Sequence, residues 1–168
     1  MAPGKAPRPG TGGGVHVERA GIERLDELMA WRETVLREVF SIPEDADLGS
    51  LLAANRTYYE RELPGNGHVA CLASIDGHVV GCGGICLQGE LPSPDNPSGK
   101  NAYLMNVYTV PAMRGAGVGK AVVGWLVGEA RRLGAGKVYL ESSEAGKRLY
   151  ADVGFAPLPA MYHLPIRK

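Results

Sequence analysis

Residues 110–120 read VPAMRGAGVGK: an apolar strand end, a proline, an arginine, then three glycines set two apart. A strand, a glycine-rich turn and a helix start together hold phosphate well. The first N–H groups of the helix point outward unpaired, and its dipole favours negative charge there. Gly115, Gly117 and Gly119 let a ligand approach bare backbone, and Arg114 adds a forked donor suited to phosphate oxygens. With Ala116, Val118 and Lys120 between and after the glycines, the whole run is a candidate diphosphate cradle.

Two familiar diphosphate loops fit badly. A P-loop requires G-x-x-x-x-G-K-[ST], but Arg114 holds the place of its first glycine and Ala121 the last position. A dinucleotide fingerprint requires G-x-G-x-x-G, and here Lys120 holds the sixth place. Glu141 does sit where a ribose-binding acid would, but only 27 residues follow it, too few for a repeated βαβ sheet. An NAD-binding oxidoreductase is therefore the more distant alternative.

The elements that must position this cradle follow from hydrophobic periodicity. Residues 15–20 suit a strand, and 22–40 a long amphipathic helix carrying Leu25, Leu28, Met29, Trp31, Val35, Val39 and Phe40. A second helix spans 48–63. Strands at 68–75 and 78–87 are joined by a two-residue Asp76-Gly77 turn, a register that sets Cys71 opposite Cys82. The glycines crowding 77–84 imply that something packs closely on that strand. A proline-rich loop covers 88–101, then a strand 102–110, a helix 119–135, a strand 137–142, a helix 143–153 capped by Ser143, and a last strand 155–166. Gly124 and Gly128 share one face of their helix, which close packing on the sheet would explain.

Composition narrows the class. The chain has 168 residues, with Lys+Arg and Asp+Glu equal at 18 each, and no basic excess of the kind a nucleic-acid binder carries. No apolar run approaches the length that crosses a bilayer, and no signal-peptide pattern opens the chain. Residues 1–14 hold five glycines and three prolines and read as a disordered tail before one domain over 15–168. Cys71, Cys82 and Cys86 fit no metal-binding spacing and read as reduced thiols of a cytoplasmic protein; no metal is expected.

Two stretches carry a resemblance. VPAMRGAGVGKAVV resembles the acetyl-CoA-binding motif of the GNAT superfamily of acyl-CoA-dependent N-acyltransferases: arginine or glutamine, then x-x-G-x-G/A, opening the helix after the fourth strand. SSEAGKRLYADVGF, residues 142–155, resembles that family's Asn-x-x-Ala-x-x-Leu-Tyr-x-x-x-Gly-Phe. The β-α-α-β-β-β-α-β-α-β order is similar to the family's over 15–166. The resemblance implies a single-domain α/β (α+β) fold with a mostly antiparallel twisted sheet flanked by helices.

It also implies roles. Backbone groups of Val107, Tyr108, Thr109 and Val110 would pair with the pantetheine arm of acetyl-CoA as an added strand. An N–H near Val107 or Tyr108 would receive the thioester oxygen. Residues Arg114 to Lys120 would hold the pyrophosphate, Ser143 would hydrogen-bond the pantetheine, and Tyr150 would protonate the departing thiolate. The activity implied is transfer of an acetyl group to a primary amine of a small molecule or peptide. A non-catalytic acyl-CoA binder or sensor of the same fold is the alternative.

The chain departs from the family pattern in three places. Ser143 replaces the asparagine and Gly146 the alanine. Asn106 stands on the fourth strand where some members have a glutamate base, which leaves Glu141, Glu62, His68, a water chain or an amine that arrives neutral. The acceptor is expected against the first two helices and the 88–101 loop, where Asp45, Asp47, Glu60 and Glu62 make an acidic edge that mildly favours a cationic amine. The apolar last strand suggests a homodimer.

Overall fold

Alternating apolar residues over the strands and a 3.6-residue period over the helices produce a sheet buried on both faces. Across the described residues, 13–166, the computed structural model has β1 (His16–Ala20), α1 (Leu25–Val39), α2 (Gly49–Glu62), β2 (His68–Ile75), β3 (His78–Gly89), β4 (Lys100–Thr109), α3 (Val118–Arg132), β5 (Lys137–Tyr139) and α4 (Lys147–Val153). The strands lie in the order β1-β2-β3-β4-β5, antiparallel except for the parallel β4–β5 pair. Apart from Gly13 and Gly14, which are exposed, the tail expected over 1–14 lies outside the described residues.

The sheet divides the core in two. On one face α3 and α4 pack over Val69, Cys71, Val80, Ile85 and Leu104, with Val118, Val122 and Leu126 fully buried. On the other, α1 and α2 bring Leu28, Trp31, Val35 and Tyr59 over Ala70, Leu72, Cys82 and Tyr108. The crowding at β3 has the expected cause. A Cβ at Gly83 would lie 2.5 Å from Val122 Cγ1, and one at Gly84 would lie 2.5 Å from His68 Nε2. Each glycine admits a neighbour on its own face.

Several expectations are corrected. The Asp76-Gly77 turn forms with both residues at positive φ, 50° and 77°, but β2 and β3 slip by one residue between Ala73 and Ser74. Cys71 therefore faces Gly83, and Cys82 faces Leu72. A one-residue slip turns a side chain to the other face, so the two thiols are buried in different halves of the core and both are free. Burial pushes the Cys82 thiol up to about 12 and Cys71 higher still, which makes both inert apolar fillers.

The last strand does not form. Phe155 packs edge-on to Tyr150, with 5.9 Å between ring centroids, but residues 156–166 are exposed and unpaired. Pro157, Pro159 and Pro165 each remove an N–H from that segment. β5 stops at Tyr139, three residues early, and the first turn at Ile22–Arg24 is 3₁₀ rather than α. Gly124 and Gly128 face open space, so no contact with the sheet explains them.

The proline-rich loop shrinks to 90–99 and is pinned. Asn96 is wholly buried; its Nδ2 donates to Glu90 Oε1 at 2.8 Å and Asn101 Oδ1 at 2.9 Å. Lys137 bridges Glu90 and Asp95 at 3.1 and 2.8 Å. These bonds tie the loop to the end of the sheet where β4 and β5 pair.

Candidate active site

β4 pairs with β5 only through Asn101–Lys137, Ala102–Val138 and Tyr103–Tyr139. Beyond Tyr103, β4 runs on to Thr109 while the chain after Tyr139 turns away into a 3₁₀ turn, Glu144–Gly146. The result is a wedge in the plane of the sheet, one wall of which is the free edge of β4.

A bulge in β4 shapes that wall. The register with β3 jumps from Gly84–Met105 to Cys82–Tyr108, so Asn106 and Val107 together oppose Gly83. Asn106 takes φ 57°, a left-handed conformation that asparagine tolerates better than most residues. Sequence reasoning treated Asn106 as an acid that was missing. In the fold it is the residue that makes the bulge, and a lone asparagine inside an apolar strand was the available signal. Past the bulge, Val110 donates to Val80 O at 2.9 Å and accepts from Met113 N–H at 2.9 Å, so its backbone is already paired. Strand alternation turns Thr109 the other way, toward the wedge.

β4 leads directly into the glycine loop. Buried Met113 and Val118 anchor its two ends. Gly115 and Gly117 adopt φ 83° and 84°, and nothing lies within 4 Å of where their Cβ atoms would be. The first helical bond of α3 runs from Ala121 N–H to Gly117 O. Among the described residues the N–H groups of Gly115, Gly117, Val118, Gly119 and Lys120 have no acceptor in the protein. Converging donors at the positive end of a 15-residue helix fit a pyrophosphate. Gly119 has a further reason to be glycine: Leu149 Cδ2 lies 3.0 Å from its ideal Cβ, so α4 rests on the start of α3 there.

Arg114 is not turned into this cradle. Its Nε donates to Thr109 O at 3.1 Å, a terminal nitrogen pairs with Glu38 Oε1, and the guanidinium lies 5.7 Å from the Tyr108 ring centre. Tyr108 Oη donates to Glu38 Oε2 at 2.7 Å. That hydrogen bond, then the Arg114 contact, holds the Glu38 carboxyl below its ordinary range. Burial first, and Glu38 second, push the Tyr108 phenol up to about 12. Glu38 is a residue that sequence reasoning missed, since nothing local links it to the glycine loop.

On the other wall, Ser143 Oγ accepts from Gly146 N–H at 3.2 Å and caps the 3₁₀ turn that leads into α4. A Cβ at Gly146 would lie 3.1 Å from both Ser142 Oγ and Tyr150 Cε2, which accounts for glycine there. Tyr150 is half-buried, its hydroxyl has no hydrogen-bond partner among the described residues, and burial raises its pKa. The phenol is a protonated, uncommitted donor at neutral pH.

The candidate bases fall in different surroundings. His68 is 2% exposed and meets Tyr58 and Tyr59 edge-on at 5.5 and 5.4 Å. Its Nδ1 shares a 3.2 Å hydrogen bond with Tyr58 Oη. Burial first, then the Arg32 charge, push its pKa down to about 4, so it is a neutral core residue sealed from solvent. Glu62 is paired with Arg61 at 2.6 Å. Glu141 follows the end of β5, exposed and without an ion pair among the described residues. The acidic edge dissolves into separate tasks, with Asp47 Oδ1 accepting from Gly49 N–H at the start of α2 and Asp45 and Glu60 exposed.

The model of the Acetyltransferase (GNAT) family matches residues 25–155. No curated protein gives a match. Among solved structures, a predicted acetyltransferase from Clostridium acetobutylicum, determined with acetyl-CoA, is similar at 24% identity and a TM-score of 0.77, over 90% of this chain and 96% of that one. A GCN5-related N-acetyltransferase from Ralstonia eutropha JMP134 aligns at 24% identity and 0.75, over 91% and 99%. Glucosamine-6-phosphate N-acetyltransferase from Arabidopsis thaliana aligns at 19% and 0.64, over 92% and 97%. At these identities the likeness is one of fold.

Proposed function

Since this chain belongs to the GNAT acetyltransferase family, whose reaction is acyl-CoA-dependent acetyl transfer, we propose that it acetylates a primary amine of a small molecule or peptide by direct attack on acetyl-CoA. The observation that carries this reading is the continuity of wedge, bulge and cradle along one strand. The bulge at Asn106–Val107, the edge of β4 running on to Thr109, and the unpaired N–H groups of Gly115, Gly117, Val118, Gly119 and Lys120 follow one another in order along the chain.

In this reading the edge of β4 holds the pantetheine arm in an extended form through Val107 and Thr109, with Tyr108 between them. The cradle takes the pyrophosphate, and Arg114 leaves Glu38 to join it. Backbone N–H groups at the bulge receive the negative charge that develops on the thioester oxygen. The amine nitrogen forms the new C–N bond, the C–S bond breaks, and Tyr150 gives its proton to the sulfur. Ser143 steadies the arm with its remaining hydroxyl donor. Glu141, alone of the residue candidates in being exposed and without an ion pair among the described residues, relays the amine's proton to water, and water returns a proton to Tyr150.

Holding amine and thioester together supplies much of the rate. The second reading, a non-catalytic acyl-CoA binder, is favoured by Asn106, which offers no proton acceptor on β4. The exposed tail, with Tyr162 97% and Ile166 84% accessible, supports pairing of two copies, which sedimentation velocity reads.

Thermal unfolding with acetyl-CoA, CoA, NAD and ATP in parallel tests the cradle. A ligand at a hundredfold over its Kd adds about 2.7 kcal/mol, roughly 5–11 °C for a chain of this size. A shift with NAD and none with CoA overturns the assignment. Release of free thiol with an amine panel separates enzyme from binder.

A further inference from the structure

Four arginines among the described residues are half-buried: Arg24, Arg32, Arg37 and Arg56. Three of them hold carboxylates. Arg24 pairs with Glu18 and Glu27, Arg37 with Glu33, and Arg56 with Asp26, at 2.6–2.9 Å. Arg32 holds none. Its Nε donates to Asn55 Oδ1 at 2.8 Å and its Nη1 to Asn106 Oδ1 at 2.9 Å, while Nη2 has no acceptor among the described residues. Cations withdrawn from water are normally compensated by a negative partner. Here the fold instead fixes the guanidinium between two neutral amides and leaves one edge of the fork unused.

The position matters as much as the charge. Asn106 is the bulge residue of β4, so Arg32 sits one side-chain length from the backbone proposed to receive the thioester oxygen. It lies on the α1–α2 face of the sheet, opposite the face where α4 presents Tyr150, and the wedge connects the two. Asn55, one turn before Tyr59 on α2, aims the fork from the far side.

Resting on the acetyltransferase reading, we propose that Arg32 is the acceptor's anion-binding residue, and that the acceptor is a compact amine carrying a carboxylate or phosphate a few bonds from its nitrogen. A planar fork fixed by two amides suits either anion bidentately. This reverses the cationic preference that the acidic residues near α2 suggested. The asparagines position Arg32, and Arg32 selects the substrate.

Matched pairs of amines test this directly: β-alanine against propylamine, L-amino acids against their decarboxylated amines, and phosphoethanolamine against ethanolamine. CoA release is followed for the wild-type chain, Arg32→Met and Arg32→Lys. The anionic member of at least one pair should be preferred about ten- to a hundredfold in kcat/KM, the size of one charge-assisted fork contact. Which pair responds distinguishes carboxylate from phosphate.

In Arg32→Met that ratio should fall to about one, chiefly through KM, and Arg32→Lys should restore part of it. A wild-type ratio of one or below, or a ratio unchanged in Arg32→Met, overturns the proposal and leaves the acetyltransferase standing. Absence of both an acetyl-CoA-induced thermal shift and CoA release overturns the acetyltransferase reading itself. A readout independent of turnover and of variant folding is the ¹⁵N resonance of Arg32 Nε in the CoA-saturated wild-type protein. It should move on titration with phosphoethanolamine or β-alanine, and a resonance that moves with neither overturns the proposal.

Discussion

Glu38, at the end of α1, and Arg114, at the start of the glycine loop, form an ion pair across 76 residues of sequence, and Tyr108 donates to the same carboxylate. Both charged side chains stay open to water, 41% and 52% exposed. Exposed pairs of this kind contribute about 0–1 kcal/mol to stability. The pair therefore holds Arg114 beside the cradle at little cost, so that on the proposed reading a pyrophosphate would draw it away.

Arg114→Met should consequently leave the unfolding free energy within about 1 kcal/mol of wild type. It should also weaken CoA about tenfold or more, as loss of a charge-assisted contact does. Calorimetric titration with CoA and urea unfolding read the two effects. A large loss of stability with unchanged CoA affinity would make the pair structural and remove Arg114 from the phosphate site.

Tyr150→Phe removes a hydroxyl that has no hydrogen-bond partner among the described residues, so stability should change by less than about 0.5 kcal/mol. If Tyr150 is the proton donor, kcat falls by about 10²–10⁴ while the Kd for CoA holds. Because burial raises the phenol's pKa, no loss of activity below pH 10 should belong to it. Equal kcat in the two proteins would return the site to a binding role.

His68 ties stability to pH. Its folded pKa, about 4, lies below the ordinary 6.5, so below pH 6.5 the unfolded chain binds a proton that the folded chain resists. The contribution is complete above 6.5 and is lost as the pH falls toward 4. The total is about 3 kcal/mol at 1.36 kcal/mol per unit. Urea unfolding at pH 7, 6, 5 and 4 should show His68→Asn lacking that slope. Parallel curves for the two proteins would mean that His68 is hydrated in solution.

Gly83 and Gly124 should respond oppositely to alanine. At Gly83 the new methyl meets Val122 and Leu126 at 2.5 and 2.9 Å, an overpacked core costing about 1–3 kcal/mol. At Gly124, exposed in the middle of α3, it meets nothing, and helix propensity returns about 0.5–1 kcal/mol. Thermal midpoints of the two single variants give the signs directly.

Much of the architecture was readable along the chain because its causes are local. Residues 25–39 and 118–132 bury a face at helical spacing, Asp76-Gly77 can take two positive φ angles in succession, and Gly154 stops α4 at φ 108°. The glycine run after Arg114 pointed to bare, unpaired backbone for the same reason. A few neighbouring residues decide whether backbone N–H groups stay unpaired, and the fold left them so.

The tertiary structure alone decided what depends on distant partners. Nothing near Ala73 signals the slip that sends Cys71 and Cys82 to opposite faces, since that register is chosen by two cores packing at once. The tail after Phe155 has strand-like apolar residues but three prolines and no neighbour to pair with, so periodicity alone did not make it a strand. Arg114 is held by Glu38, and Arg32 by Asn55 and Asn106, from 76, 23 and 74 residues away. Sequence supplied the charged groups and the bare backbone. Which charges are neutralised within the protein and which remain for a ligand is a property of long-range packing, because compensation acts over a few ångströms of space and not along the chain.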